Sequence, residues 1–174
     1  MTTHQPDRER FEALYRAHHA AVVRFARRRT DADTAEEVVA ETFVTAWRRL
    51  DRVPDEPLPW LLVTARNVLR NAQRTAAKHR PATERPVTGR DPAELLGERD
   101  VVLRAFAALS DADREALRLV AWDGLALADG ARVAGTTRLA FAMRVSRARR
   151  RLAAALEELE GGRPAPSRPL EARP

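Results

Sequence analysis

The chain has 174 residues, 44% hydrophobic and 32% charged, which is enough apolar material for a folded core. It contains no cysteine, no run of eighteen apolar residues and no apolar core near its N-terminus. These absences exclude disulfides, thiolate zinc sites, thiol catalysis and a membrane span, and lead to an expected cytoplasmic location. The formal net charge is +6, carried almost wholly by arginine, with Lys78 the single lysine. The charge is blocked. Residues 1–80 and 100–156 are each net +4, while 81–99 and 157–174 are each net −1. Two basic blocks favour a polyanionic partner through phosphate neutralisation and counterion release.

Strand signals are absent, so the expected fold is all-α. Phe11, Leu14, Tyr15, His18, Val22 and Phe25 follow an i, i+3, i+4, i+7 rhythm and predict a helix from about 8 to 29. Asp31-Ala32-Asp33 breaks it, and Thr34 with Glu37 three residues on reads as a capping box opening a second helix. Val38, Val39, Phe43, Ala46, Trp47 and Leu50 form the apolar side of that helix. The segment Arg52–Pro59 holds three prolines and reads as a loop, with Pro59 able to open a third helix. Trp60, Leu61, Ala65, Val68, Leu69 and Ala72 carry the third helix to about Lys78.

Residues 81–94 read as a flexible linker. Asp91-Pro92 is a helix-opening pair, and Leu95, Leu96, Val102, Leu103, Phe106 and Leu109 form the expected apolar face that follows. Ser110 caps a helix that holds Leu117, Val120 and Ala121. After Asp123-Gly124 comes a short helix of Leu127, Ala128, Ala131 and Val133, then a turn at Ala134-Gly135-Thr136 and a final helix from about Thr137 to Glu160. Between Arg132 and Arg151 stand seven arginines and no acid. A basic second helix after a glycine turn is the pattern of a helix-turn-helix that enters the DNA major groove. The tail 161–174, rich in proline and glycine, is expected to be disordered. The expected organisation is thus two small helical domains joined by a flexible linker: a three-helix bundle at 8–80 and a helix-turn-helix domain at 95–160.

Several segments in this order resemble one family. They are Phe11–Tyr15, Ala35–Phe43 ending in Ala46-Trp47-Arg48, Pro59–Leu62 with Ala65-Arg66-Asn67, Leu109–Leu117, Trp122–Leu125 and Arg144–Leu152. The chain resembles the extracytoplasmic-function (ECF) group of bacterial sigma factors, the specificity subunits of RNA polymerase. The resemblance covers about 8–80 and 98–156. It implies a polymerase-docking helix at Ala35–Trp47, with Glu36, Glu37, Glu41, Thr42 and Trp47 as docking residues. It implies capture of the unwound −10 strand by Trp60, Arg66, Asn67, Arg70 and Arg74. It implies −35 recognition by the final helix through Thr137, Arg138, Phe141, Arg144, Arg147 and Arg149. The implied partners are the beta-prime and beta subunits of core polymerase and promoter DNA, with an anti-sigma factor left open. Gly130 departs from the aliphatic residue usual at its place, at a cost of about 1 kcal/mol in helix propensity. Ala40 replaces a common glutamine, and Asn71 a frequent aspartate.

Catalysis has little support in the residues. His18-His19 lacks metal-ligand spacing, Glu36, Glu37 and Glu41 have no histidine or cysteine beside them, and no glycine-rich phosphate loop occurs. No cofactor or metal is expected, and the chain reads as a non-enzyme. Two other readings stand beside the sigma factor: a stand-alone helix-turn-helix regulator and an adaptor that binds only protein.

Overall fold

The computed structural model describes residues 4–79 and 98–161, and every described element is helical. The linker expected at 81–94, the Asp91-Pro92 cap, Leu95 and Leu96, and the tail beyond Gly161 lie outside the described residues. Three long helices come first: α1 (His4–Arg27), α2 (Ala32–Arg48) and α3 (Pro57–His79). The second group is α4 (Glu98–Ala107), α5 (Asp111–Leu117), α6 (Leu127–Ala134) and α7 (Arg138–Gly161).

The apolar stripes read from the sequence meet in one core. Val22, Phe25 and Ala26 of α1, Val38, Phe43 and Ala46 of α2, and Leu61, Leu62 and Ala65 of α3 are all buried. Phe11, at the edge of this core, sets its ring edge-on to Phe43 and Trp47 at 6.4 and 5.2 Å. In the second group α7 is the centre. Its Phe141, Val145 and Ala148 are buried, and α4, α5 and α6 all pack on it. The buried cluster is continuous across both groups, running from Leu61 and Ala65 to Leu119, Ala131, Val133 and Phe141. α3 packs directly on α6.

Local details differ from the sequence expectation at several places, among them α5, which ends at Leu117 and leaves Val120 and Ala121 to the turn that follows. The cap of α2 is Asp31, not Thr34. At φ −64°, ψ 172° its carboxylate accepts the Thr34 N–H at 2.9 Å, so the helix starts at Ala32. That hydrogen bond holds the Asp31 carboxyl below its usual pKa. Helix α3 opens at Pro57, two residues before Pro59. Both prolines fit because N–H groups of a first turn have no intrahelical partner to lose. In α4, Val102 and Leu103 are exposed and Ala105 is buried instead, while Phe106 packs against a buried cluster of Leu109, Leu117 and Ala148.

The Ser110 cap forms as expected, its hydroxyl accepting the Asp113 N–H at 3.2 Å. Beyond α5 the chain widens into one π-helical turn, Arg118–Trp122, closed by Asp123 N–H to the Arg118 carbonyl at 2.9 Å. The widened turn carries Asp123 back toward the end of α1.

Candidate nucleic-acid interface

The turn between α6 and α7 is built by backbone geometry. Gly135 sits at φ +70°, a left-handed conformation that favours glycine, and Thr136 N–H reaches back to the Ala131 carbonyl at 3.0 Å. This Schellman arrangement ends α6 cleanly. Thr137 then opens α7, its hydroxyl accepting the Ala140 N–H at 3.2 Å. Gly130 explains itself here. A Cβ at that position would lie 2.5 Å from Cε1 of Phe141, so the close crossing of α6 and α7 requires its absence.

Phe141 is therefore a core residue, fully buried against Gly130, and no part of it faces the solvent side of α7. The apolar rhythm Phe141, Val145, Ala148, Leu152 carried that information in the sequence. Thr137, Arg138, Arg147 and Arg149 are exposed and Arg144 is half-buried. None of Arg138, Arg144, Arg147, Arg149 and Arg150 makes an ion pair among the described residues. Arg132 does, with Asp129 at 2.6 Å, and so does Arg151, with the buried Asp113. The result is a helix with one face in the core and, as far as Arg151, a cationic outer surface without acids; the acids Glu157 and Glu158 stand exposed only near its C-terminal end.

α3 divides the candidate −10 residues between two faces. Trp60 and Asn67 line a groove of about 900 Å³ between α2 and α3, opposite Glu37 and Glu41. Arg74, two turns on from Asn67, stays on the groove side beside the groove residue Asn71, whereas Arg66 lies on a different face. Arg70 is exposed, and Arg74 donates to the Asn71 side chain at 3.1 Å. Arg66 is half-buried beside the α6–α7 turn, where a Cβ on Gly135 would lie 3.3 Å from its Nη1. Burial is the main cause lowering its guanidinium pKa, with Arg70 adding repulsion and Glu115 opposing it. The structure thus brings Trp60 and Asn67 together, and keeps Arg66 apart from them under the C-terminal group.

The candidate docking residues also divide. Glu36, Glu37 and Glu41 are exposed on α2, with Glu36 3.9 Å from Arg27. Trp47 is 45% exposed and packs one side on Phe11. Thr42 is buried, its hydroxyl donating to the Val38 carbonyl at 2.6 Å, so it offers no atom to a partner on this surface.

An ion cluster that sequence reasoning missed joins the two helical groups. The Arg29 guanidinium, stacked on the Phe25 ring at 3.6 Å, donates to both Glu115 oxygens at 3.0–3.1 Å and to Asp123 at 2.9 Å. Arg28 takes the other Asp123 oxygen at 2.6 Å. The Arg29 and Asp123 side chains are only 6% and 3% exposed. Nearby Arg118 has its Nε buried without an acceptor among the described residues, and burial lowers its pKa as well. Among the described residues no group of acids and histidines could hold a metal ion, and no helix is long and apolar enough to cross a membrane.

Comparison with known proteins agrees with this geometry. The family described as Sigma-70 region 2 matches residues 14–79, the span from α1 to the end of α3. The ECF RNA polymerase sigma factor SigL of Mycobacterium tuberculosis (strain ATCC 25618 / H37Rv) is 41% identical over 68 residues, covering 37% of this chain and 38% of SigL. The RNA polymerase sigma factor NccH of Alcaligenes xylosoxydans xylosoxydans is 28% identical over 170 residues, 88% of this chain and 90% of NccH. The solved structure of the sigma factor RpoE in complex with the anti-sigma factor NepR, from Bartonella quintana, superposes with TM-score 0.67 at 25% identity. It covers 88% of this chain and 98% of RpoE. That of CnrH in complex with the cytosolic domain of CnrY gives TM-score 0.58 at 27% identity, covering 85% and 88%.

Proposed function

We propose a function for this chain from its family: it belongs to the extracytoplasmic-function group of the sigma-70 family. It binds core RNA polymerase, directs it to promoters, and supports strand opening through binding energy while the polymerase performs the chemistry. It acts in the cytoplasm and is not itself an enzyme. Residues 8–80 act as the polymerase-docking and −10-binding unit, and 95–160 as the −35-binding unit. The observation that carries this reading is the joint presence of a region-2 helical bundle and, further along the chain, a cationic α7 with no acid between Arg138 and Arg151, set behind a Schellman turn. A stand-alone DNA regulator has no use for the first; a protein-only adaptor has none for the second.

Each unit has a part in this function. Glu36, Glu37 and Glu41 present negative charge on one side of α2 to basic groups of the polymerase. Trp60 and Asn67 form one wall of a groove in which an unpaired base can stack and be hydrogen-bonded. Arg138, Arg144, Arg147 and Arg149 supply phosphate contacts around the major groove. Anti-sigma control fits the same fold, as the solved relative RpoE is a sigma factor bound to the anti-sigma factor NepR.

Core binding by Glu41→Lys tests the docking half. Glu41 is exposed, so the change costs less than about 0.5 kcal/mol of stability. Core affinity is expected to fall well beyond that. Unchanged core binding by a folded variant would remove Glu41 from the interface.

A further inference from the structure

Helix α7 is apolar where an outward-facing helix is normally polar. Leu139 is 73% exposed and Met143 is 55% exposed. They stand at i and i+4, one above the other, on the side opposite the buried Phe141, Val145 and Ala148. The core of the domain is complete without them. Arg147 and Arg150 continue the same outer face, both exposed and without an ion pair among the described residues.

An apolar pair of this size is too small to hold a protein partner by itself, since stable protein interfaces bury about 800 Å² on each side. The surrounding charge selects the occupant. Cations flank the pair, and no acid occurs from Arg132 to Arg151. The surface therefore fits a polyanion that offers an apolar atom in its interior. Duplex DNA has one such group in the major groove, the C5 methyl of thymine. At 1.5 Å rise per residue, Leu139 and Met143 are about 6 Å apart along α7, close to the span of two base-pair steps of about 3.4 Å each.

We propose that Leu139 and Met143 are specificity-determining residues that read thymine methyl groups in the upstream promoter element, with Arg147 and Arg150 holding the flanking phosphates. This rests on the promoter-binding reading given above. It places sequence discrimination on apolar contacts near the start of α7, whereas the arginines supply affinity common to all sequences.

The test uses the full chain with core RNA polymerase. A randomised duplex pool is selected for binding, and the recovered upstream element is resynthesised with deoxyuridine in place of thymidine, which removes only the methyl. The unaltered protein is expected to bind three- to fourfold more weakly for each critical thymine replaced. Leu139→Ala/Met143→Ala is expected to bind the thymidine duplex as the unaltered protein binds the deoxyuridine duplex, and to be indifferent to the replacement. Both side chains are exposed, so its thermal unfolding stays unchanged. Arg147→Ala weakens both duplexes equally. The proposal is overturned if the unaltered protein binds the two duplexes alike, if selection recovers no A·T pair in the element, or if the double variant keeps the full deoxyuridine penalty. Failure of the complex to retain any duplex overturns the promoter-binding reading and this proposal with it. Retention without methyl sensitivity overturns this proposal alone.

Discussion

Asp123→Asn probes the contact between the two helical groups. The Asp123 carboxylate is 3% exposed and accepts Arg28 Nη1 at 2.6 Å and Arg29 Nη2 at 2.9 Å. Removing one member of a buried ion pair costs about 3–5 kcal/mol, because the remaining charge stays desolvated. Two features lower the figure here. Asparagine keeps one acceptor oxygen, and Arg29 keeps its two-pronged pair with Glu115. The expected loss is about 2–3 kcal/mol, the scale of one charge-assisted hydrogen bond. Arg28, 28% exposed, relaxes into solvent at little cost, so Arg28→Ala is expected to lose less than Arg29→Ala. Urea unfolding of the full chain, followed by tryptophan fluorescence, measures the loss. The α1–α3 unit has its own core, so destabilising the junction shows first as earlier melting of the C-terminal group. A double-mutant cycle between Arg29 and Asp123 isolates the pair and is expected to give at least about 1 kcal/mol of coupling. Raising salt to 1 M leaves most of that coupling, since buried pairs are weakly screened. A loss under about 0.5 kcal/mol for Asp123→Asn, or coupling that vanishes in salt, would refute the buried junction.

Gly130→Ala gains about 1 kcal/mol of helix propensity but drives a Cβ into Phe141, so a net loss of about 1–3 kcal/mol is expected in thermal unfolding. Phe141→Ala is expected to cost about 3–5 kcal/mol and to lower DNA binding only in proportion to the unfolded fraction, because the ring is fully buried. Asp31→Ala removes the true cap of α2 and is expected to cost about 1 kcal/mol, while Glu37→Ala costs a few tenths. Arg147→Ala is expected to reduce the salt slope of DNA binding by about one unit.

The helices were legible because each has an apolar stripe with its own period, and the α6–α7 turn because a glycine stands where the left-handed residue must be. The Asp31 cap was not. Asp31, Thr34 and Glu37 all satisfy a capping rule, and only the backbone angles decide among them. Val102 and Leu103 were misread as core because a short helix fits more than one stripe, and the neighbouring α7 chooses Ala105. The Arg28–Arg29–Glu115–Asp123 cluster was illegible for a different reason. Its partners lie 86 to 95 residues apart, and local periodicity holds no information at that separation. Phe141 was legible as core from its stripe, whereas family position drew it toward the DNA surface. The exposure of Leu139 and Met143 was illegible because α7 carries apolar residues on two sides, and only packing against α4, α5 and α6 decides which side is buried.

The central claim is that the chain confers promoter-dependent initiation on core RNA polymerase. Run-off transcription on the selected promoter, with and without the chain, tests it most directly. A defined transcript is expected only when the chain is present. It should be lost with Arg144→Ala/Arg147→Ala and with Glu41→Lys while both variants stay folded. Equal transcript with and without the chain, or full activity in both folded variants, would contradict the account.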